Sequence, residues 1–210
     1  MNDIKSERTD NLRTSTRDIH METERHPMAV ALVKGMDPEV YAVYCFNLHL
    51  IYDTMERFAI ERNLISEDTC RAVRLYNDYL ELWDQIYEDD LEAEPPTFVS
   101  TRNHIDRIVR ICEDDDKLMA HIYVRHGGDL YGGQMIKDMV PGSATVYDFA
   151  DVQKSIKELE SRLNDNMESE ARMSFMYAQS LFDELKDWQD THSQLMIGND
   201  LDQSIKKDVG

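Results

Sequence analysis

Glycine is scarce in this 210-residue chain, with eight in all, and cationic side chains are outnumbered, 23 Lys and Arg against 42 Asp and Glu. The formal net charge of −19 excludes a general nucleic-acid or anionic-membrane surface, since binding to phosphate needs clustered Lys and Arg. Short acidic runs such as YEDDLEAE and CEDDDK read as solvated surface. No apolar run approaches the roughly 20 residues of a membrane span. The start, MNDIKSERTDNLR, lacks the apolar segment of a secretory signal, and the tail NDLDQSIKKDVG is too polar for a membrane anchor. Cys45, Cys70 and Cys112 form no C-x-x-C pair and read as free thiols of a reducing compartment, so the expected location is cytoplasmic. Strand signals and internal repeats are also missing.

What is present is helical periodicity. A first helix is expected from a cap at Thr9 or Asp10 to about Arg25, ended by His26-Pro27. Asp37-Pro38-Glu39 combines a capping side chain, a proline at the first helical position and an early acid. Val40, Tyr44, Leu48, Ile51, Met55 and Phe58 then recur at helical spacing. Further helices are expected from Glu67 to about Tyr87, and over a segment carrying Ile105, Ile108, Val109 and Cys112. Another runs from Asp114–Asp116 into a glycine stretch, and a last one carries Ala171, Phe175, Ala178, Phe182 and Leu185 on one face. The chain reads as one all-α domain over residues 10–193, with a flexible segment at 1–9 and a disordered tail at 194–210.

Half of the glycines sit in seven residues, Gly127-Gly128-Asp129-Leu130-Tyr131-Gly132-Gly133, with helical sequence on both sides. A glycine inside a helix costs about 1 kcal/mol relative to alanine, so four amount to roughly 4 kcal/mol, and something must require them. A phosphate loop would need a preceding strand and a following Lys-Ser/Thr, both missing. Two readings stay open: close packing of the helix on another protein surface, or helix backbone lying on a large flat ligand. Asp129 and Tyr131 favour the ligand, because a carboxylate inside a packing face would be buried at high cost. A partner on the ligand's other side could be histidine. His20 lies in RDIHMETE with Glu24 four residues on, a spacing that lets the carboxylate hold the imidazole in one tautomer.

TRDIHMETE and HIYVRHGGDLYGGQMIKD together resemble the two signature segments of the haem oxygenase family, and YAQSLFDELKDW resembles its last helix. The resemblance implies a helical bundle with haem held between the first helix and a kinked distal helix. It implies a reaction in which haem, both substrate and cofactor, is opened by dioxygen at a meso carbon to biliverdin, carbon monoxide and ferrous iron. His20 would be the axial iron ligand, and Asp129 would deliver protons through ordered water. Arg125 and Tyr123 match positions of the distal hydrogen-bond network. Gly128, Gly132 and Gly133 would let backbone lie against the macrocycle. Arg13 matches a basic position facing the haem propionates, and Lys154, Lys157 and Arg162 fall where further propionate contacts are expected.

Two departures from the family pattern stand out. Tyr131 occupies a position that is often serine in the animal enzymes, which would crowd the distal pocket, and Gly127 adds a glycine ahead of the motif. The polar tail resembles the soluble type of bacteria, cyanobacteria and plastids. The reaction consumes electrons, so ferredoxin or another reductase is an implied partner, docking on a local basic patch. A bilin reductase downstream and a monomeric state are further expectations. The competing function is a haem carrier or sensor without ring cleavage, from which Asp129 argues away. A dimetal-carboxylate oxidase would need Glu-x-x-His pairs, and none of the seven histidines has a glutamate three residues before it. His26, His49, His104, His121, His126 and His192 therefore read as structural, and the twelve methionines as adaptable core.

Overall fold

The computed structural model describes the backbone of residues 11–90 and 92–208 and the side chains of 11–90 and 92–193; the expected caps Thr9 and Asp10 and the segment 1–9 lie outside these. Among the described residues every regular element is helical. Residues 11–15 form a helical turn that leads through Thr16 into α1 (Arg17–Glu24). The next helix, α2 (Pro27–Lys34), starts where the sequence suggested only a stop. Proline fits a first helical position, and His26 Nδ1 caps it by accepting from the Met28 amide at 3.2 Å.

The long central helix α3 (Pro38–Glu61) begins as expected, with Asp37 Oδ1 accepting from the amides of Glu39 and Val40 at 2.9 and 3.3 Å. It ends through Asn63 in the left-handed region, φ 56°, which lets the Leu64 amide return to the Ala59 carbonyl at 2.8 Å. Helix α4 (Ala72–Ile86) starts later than Glu67, because residues Glu67–Thr69 form a separate 3-10 turn. Its cap is tertiary: Glu56, from α3, accepts from the amides of Arg71 and Ala72 at 2.6 and 3.0 Å. Helix α5 (Val99–Ile111) buries Thr101, His104, Ile108 and Ile111 and leaves Val109 exposed. Asp114 caps α6 (Asp115–Gly127), which continues through a π-helical turn, Gly128–Gly132, into the short α7 (Gly133–Ile136).

Helix α8 (Val152–Glu160) follows a 3-10 turn at Thr145–Tyr147, and the last helix, α9 (Glu168–Asp208), keeps its backbone helical past Gln194. Ala171, Phe175, Ala178, Phe182 and Leu185 are buried along it, the face expected from their spacing. The core is built around α3, whose Tyr41, Ile51, Tyr52 and Met55 are almost wholly buried. No described helix is long and apolar enough to cross a membrane.

The distal helix is braced from α4. Asp78 accepts from the amides of Thr145 and Val146 at 2.7 and 2.9 Å, fixing the turn that presents Tyr147. Arg71, fully buried, donates to the carbonyls of Asp68, Thr69, Val146 and Asp148 and lies 4.1 Å over the Phe149 ring. The charges of Asp129 and Glu56 also favour this buried cation.

Candidate functional site

The four clustered glycines do two different jobs. A β-carbon at Gly133 would stand 2.3 Å from Cδ1 of Tyr147, so this glycine lets the distal helix rest on the braced turn. That assigns Gly133 to packing, a correction of its expected place among the ligand-facing glycines. Gly127 is buried, and a β-carbon there would meet Leu159, Tyr123 and Tyr131 at ordinary contact distances of 3.8–3.9 Å. Among the described residues an added β-carbon at Gly128 or Gly132 would meet nothing within 4 Å. Packing among these residues does not require glycine at the two positions. They leave bare backbone toward space, on the π-helical turn that widens the helix at the same point.

Asp129 sits on that turn with Oδ2 accepting a 2.9 Å hydrogen bond from the Tyr52 hydroxyl of α3. Burial pushes its carboxyl up to about 6, against the opposing charges and hydrogen bond of His126, Tyr52, Arg71 and Arg125. A carboxylic acid poised there can give or take a proton near neutral pH. Tyr52 stacks on His126, with ring centroids 5.4 Å apart, and His126 Nε2 is 3.0 Å from Glu56 Oε1. The same Glu56 thus caps α4 and anchors the residues behind Asp129. Arg125, one helical turn before Asp129, is buried with its Nε unpartnered. The Tyr44 phenol lies within the field of both Arg125 and Asp129, its pKa raised chiefly by burial.

On the first helix His20 is about half exposed and lies 5.4 Å from the Phe175 ring of α9. Its Nε2 is 3.5 Å from Glu24 Oε1, the expected i,i+4 pairing, so a carboxylate at one ring nitrogen leaves the other for a metal. The turn before His20 meets the distal helix. Burial raises the Tyr123 pKa, opposed by the nearby Thr16 hydroxyl and the Arg13 guanidinium, and Arg13 also acts on Tyr131. Arg13 and Tyr123 therefore lie near Tyr131 of the glycine turn, and His20 and Glu24 follow Arg13 along α1.

Other expected residues lie elsewhere. Tyr131 points across to α8, its hydroxyl donating to Glu160 Oε1 at 2.7 Å, and does not crowd Asp129. Arg162 donates to the Asn63 carbonyl at 2.7 Å and lines a cavity of about 470 Å³ with Met119, His126, Leu130 and Leu159. That cavity reaches neither Asp129 nor His20, so the structure separates Arg162 from the site. Lys154 pairs with Glu158 at 3.7 Å on the outer face of α8, in a shallow surface groove that Lys157 also lines; neither joins the His20–Asp129 side. Tyr52, Tyr44 and Phe175 were not legible as site residues, because each sits on an apolar helix face that spacing reads as core.

The donor set suits a large flat ligand carrying a metal. An exposed imidazole braced by a carboxylate stands on one helix and bare backbone on the other, with a buried, unpartnered Arg125 Nε and the half-buried carboxyl of Asp129 nearby along the same helix. The comparisons agree. Residues 6–153 match the family model described as Heme oxygenase. The heme oxygenase of Pyropia yezoensis is 28% identical over 203 residues, covering 78% of this chain and 82% of the relative. That of Rhodella violacea is 27% identical over 203 residues, covering 83% and 85%. Among solved structures, heme oxygenase-1 of the cyanobacterium Synechocystis sp. PCC6803 in complex with heme superposes with a TM-score of 0.75 at 21% identity, covering 91% of this chain and 98% of that one. That last likeness shows the fold. With the family model covering well over half of the sequence, the chain belongs to the haem oxygenase family, the oxidoreductases that cleave haem to biliverdin.

Proposed function

We propose that this chain opens haem at a meso carbon, with dioxygen and electrons from an external donor, to biliverdin, carbon monoxide and ferrous iron, and that the bilin feeds pigment synthesis in the cytoplasm. The observation that carries the reading is the bare backbone at Gly128 and Gly132 beside the half-buried carboxyl of Asp129, whose pKa is raised. Haem supplies the redox-active iron that activates dioxygen. His20 would hold that iron from the first helix, with Glu24 beside one ring nitrogen orienting the imidazole.

Gly128 and Gly132, with no side chain of their own, would let a flat macrocycle approach the helix backbone closely. Asp129 gives and retrieves protons through water. Its upward-shifted pKa keeps both protonation states populated near neutrality, and the Tyr52 hydroxyl orients Oδ2. Arg125 addresses the same water from its unpartnered Nε. Arg13 and Tyr123 stand where the propionate edge would lie, which places a cation next to two carboxylates despite the overall acidity. The electron donor is a ferredoxin or flavin reductase, and a bilin reductase is the consumer of the product; the chain works as a monomer.

The test is a reaction of the purified protein with one equivalent of hemin and a supplied reductant in air. Loss of the Soret band with growth of a broad red bilin band is expected, with the isomer given by chromatography. A Soret band that persists with every donor supplied would refute ring cleavage, and no Soret shift on adding hemin would refute the site.

A further inference from the structure

Behind Arg125 runs a line of buried polar side chains to which the reading above gives no part. Arg125 Nη2 lies 3.4 Å from His104 Nδ1, His104 Nε2 lies 2.8 Å from His121 Nδ1, and His121 Nε2 lies 2.9 Å from Glu170 Oε1. Arg107 closes the far end, with Nε 2.8 Å from Glu170 Oε1 and Nη2 2.5 Å from Oε2. The line ties α5 (His104, Arg107) and α6 (His121, Arg125) to α9 (Glu170). Both imidazoles are fully buried, and the His104 ring stacks flat on Tyr177, with centroids 4.6 Å apart and planes 6° from parallel.

The two ends dictate where every proton in between must be. A guanidinium has only donors, and an ionised carboxylate only acceptors. Arg125 therefore donates to His104 Nδ1, which leaves the His104 proton on Nε2, donated to His121 Nδ1. The His121 proton is then on Nε2, donated to Glu170. Any other placement sets two donors or two acceptors against each other in the core, where an unmade hydrogen bond is expensive. Neither ring carries a charge. Burial pushes the His104 pKa down, with the Arg125 charge acting in the same direction. For His121, faced by His104, Glu170, Arg107 and Arg125, burial outweighs the carboxylate and again moves the pKa down. Burial alone would raise the Glu170 carboxyl, but the hydrogen bonds from His121 and Arg107 prevail and hold it at about 2.

Such a chain cannot feed protons to the distal side, because a guanidinium does not give one up. It can only orient. We propose that His104 and His121 are positioning residues for Arg125: a hydrogen-bond chain of one direction, anchored on the Glu170–Arg107 ion pair, fixes the guanidinium with Nη2 turned inward and Nε left to the distal site. The role of Arg125 at that site rests on the haem-cleaving reading; the direction of the chain does not.

Nitrogen-15 NMR of the haem-free full chain, labelled at histidine, tests the direction. His104 and His121 should both be neutral with the proton on Nε2 at pH 7; a proton on Nδ1 of either ring, or a cationic ring, would overturn the proposal. The consequence is read in the haem complex of His104→Phe, which keeps a ring against Tyr177 but loses both hydrogen bonds. The pH midpoint of the Soret shift should move by about 0.5 unit or more, and kcat should fall about tenfold with KM nearly constant. His104→Gln, which offers both an acceptor and a donor, should recover most of both changes. A folded His104→Phe variant with an unmoved midpoint and wild-type kcat would refute the positioning role. A wild-type chain that fails to bind haem would remove the target of Arg125 and refute the functional reading, while the tautomer measurement on haem-free protein would stand apart from it.

Discussion

Gly128→Ala should make the haem-free protein more stable and the haem complex weaker. Gly128 has φ −55° and ψ −47°, a conformation alanine adopts without strain, and the new β-carbon meets nothing within 4 Å. Alanine in place of a helical glycine is worth about 0.4–1 kcal/mol, through helix propensity and a less disordered unfolded chain. In a domain of this size that raises Tm by roughly 2–3 °C. The same methyl group projects into the space assigned to the macrocycle. An extra methyl in a filled contact costs about 1–3 kcal/mol, so hemin affinity should fall roughly 5- to 150-fold.

Gly133→Ala is the control of opposite sign. Its β-carbon would lie 2.3 Å from Cδ1 and 2.8 Å from Cε1 of Tyr147, a buried ring in a turn braced by Asp78. Overpacking of about 1–3 kcal/mol should then lower Tm by several degrees. Thermal melts of the haem-free variants and hemin titrations followed at the Soret band give both numbers. A drop in Tm for Gly128→Ala as large as that for Gly133→Ala would show that Gly128 serves packing. Unchanged hemin affinity and unchanged bilin yield would refute the claim that its bare backbone faces the ligand.

Three further outcomes follow from the same geometry. His20→Ala should weaken hemin binding and abolish turnover, with added imidazole restoring part of the Soret spectrum; wild-type turnover in this variant would remove His20 as the ligand. Asp129 has a folded pKa of about 6 against 3.8 for the free side chain, so between these values the folded state binds the extra proton and stability falls as pH rises, by up to about 3 kcal/mol. Asp129→Asn should erase that fall in urea titrations of haem-free protein from pH 4 to 7 and lose bilin yield while still binding hemin; a pH dependence identical to wild type would place the titration elsewhere. Glu56→Ala removes the tertiary cap of α4 and the partner of His126, and should destabilise by about 3 kcal/mol in urea unfolding. A loss below 1 kcal/mol would mean that water replaces the carboxylate at both sites.

Helix content, the Asp37 cap and the buried face of the last helix followed from the sequence alone, because apolar spacing and capping chemistry act within a few residues of one another. The pairing of His20 with Glu24 is local in the same way, four residues along one helix. The glycine cluster announced that backbone had to be exposed or closely approached, but not to what. That depends on where Tyr147 stands, fourteen residues beyond Gly133, and on no side chain of the described residues lying over Gly128 and Gly132. The start of α4 is a tertiary decision as well: the pattern allowed a start at Glu67, yet the helix begins at Ala72, where Glu56, on another helix, reaches its first amides. For the later cations the sequence offered charge and position, whereas their present partners are tertiary or local: Lys154 pairs with Glu158, Lys157 lines the same surface groove, and Arg162, just past α8, donates to the Asn63 carbonyl. Tyr52, His104 and His121 read as packing until helices far apart in sequence brought Asp129, Arg125 and Glu170 to them. The sequence by itself determined which segments are helical and which residues can do chemistry. Only the tertiary structure decided which donors face which acceptors, because a hydrogen bond depends on distances of about 3 Å that no spacing along the chain encodes.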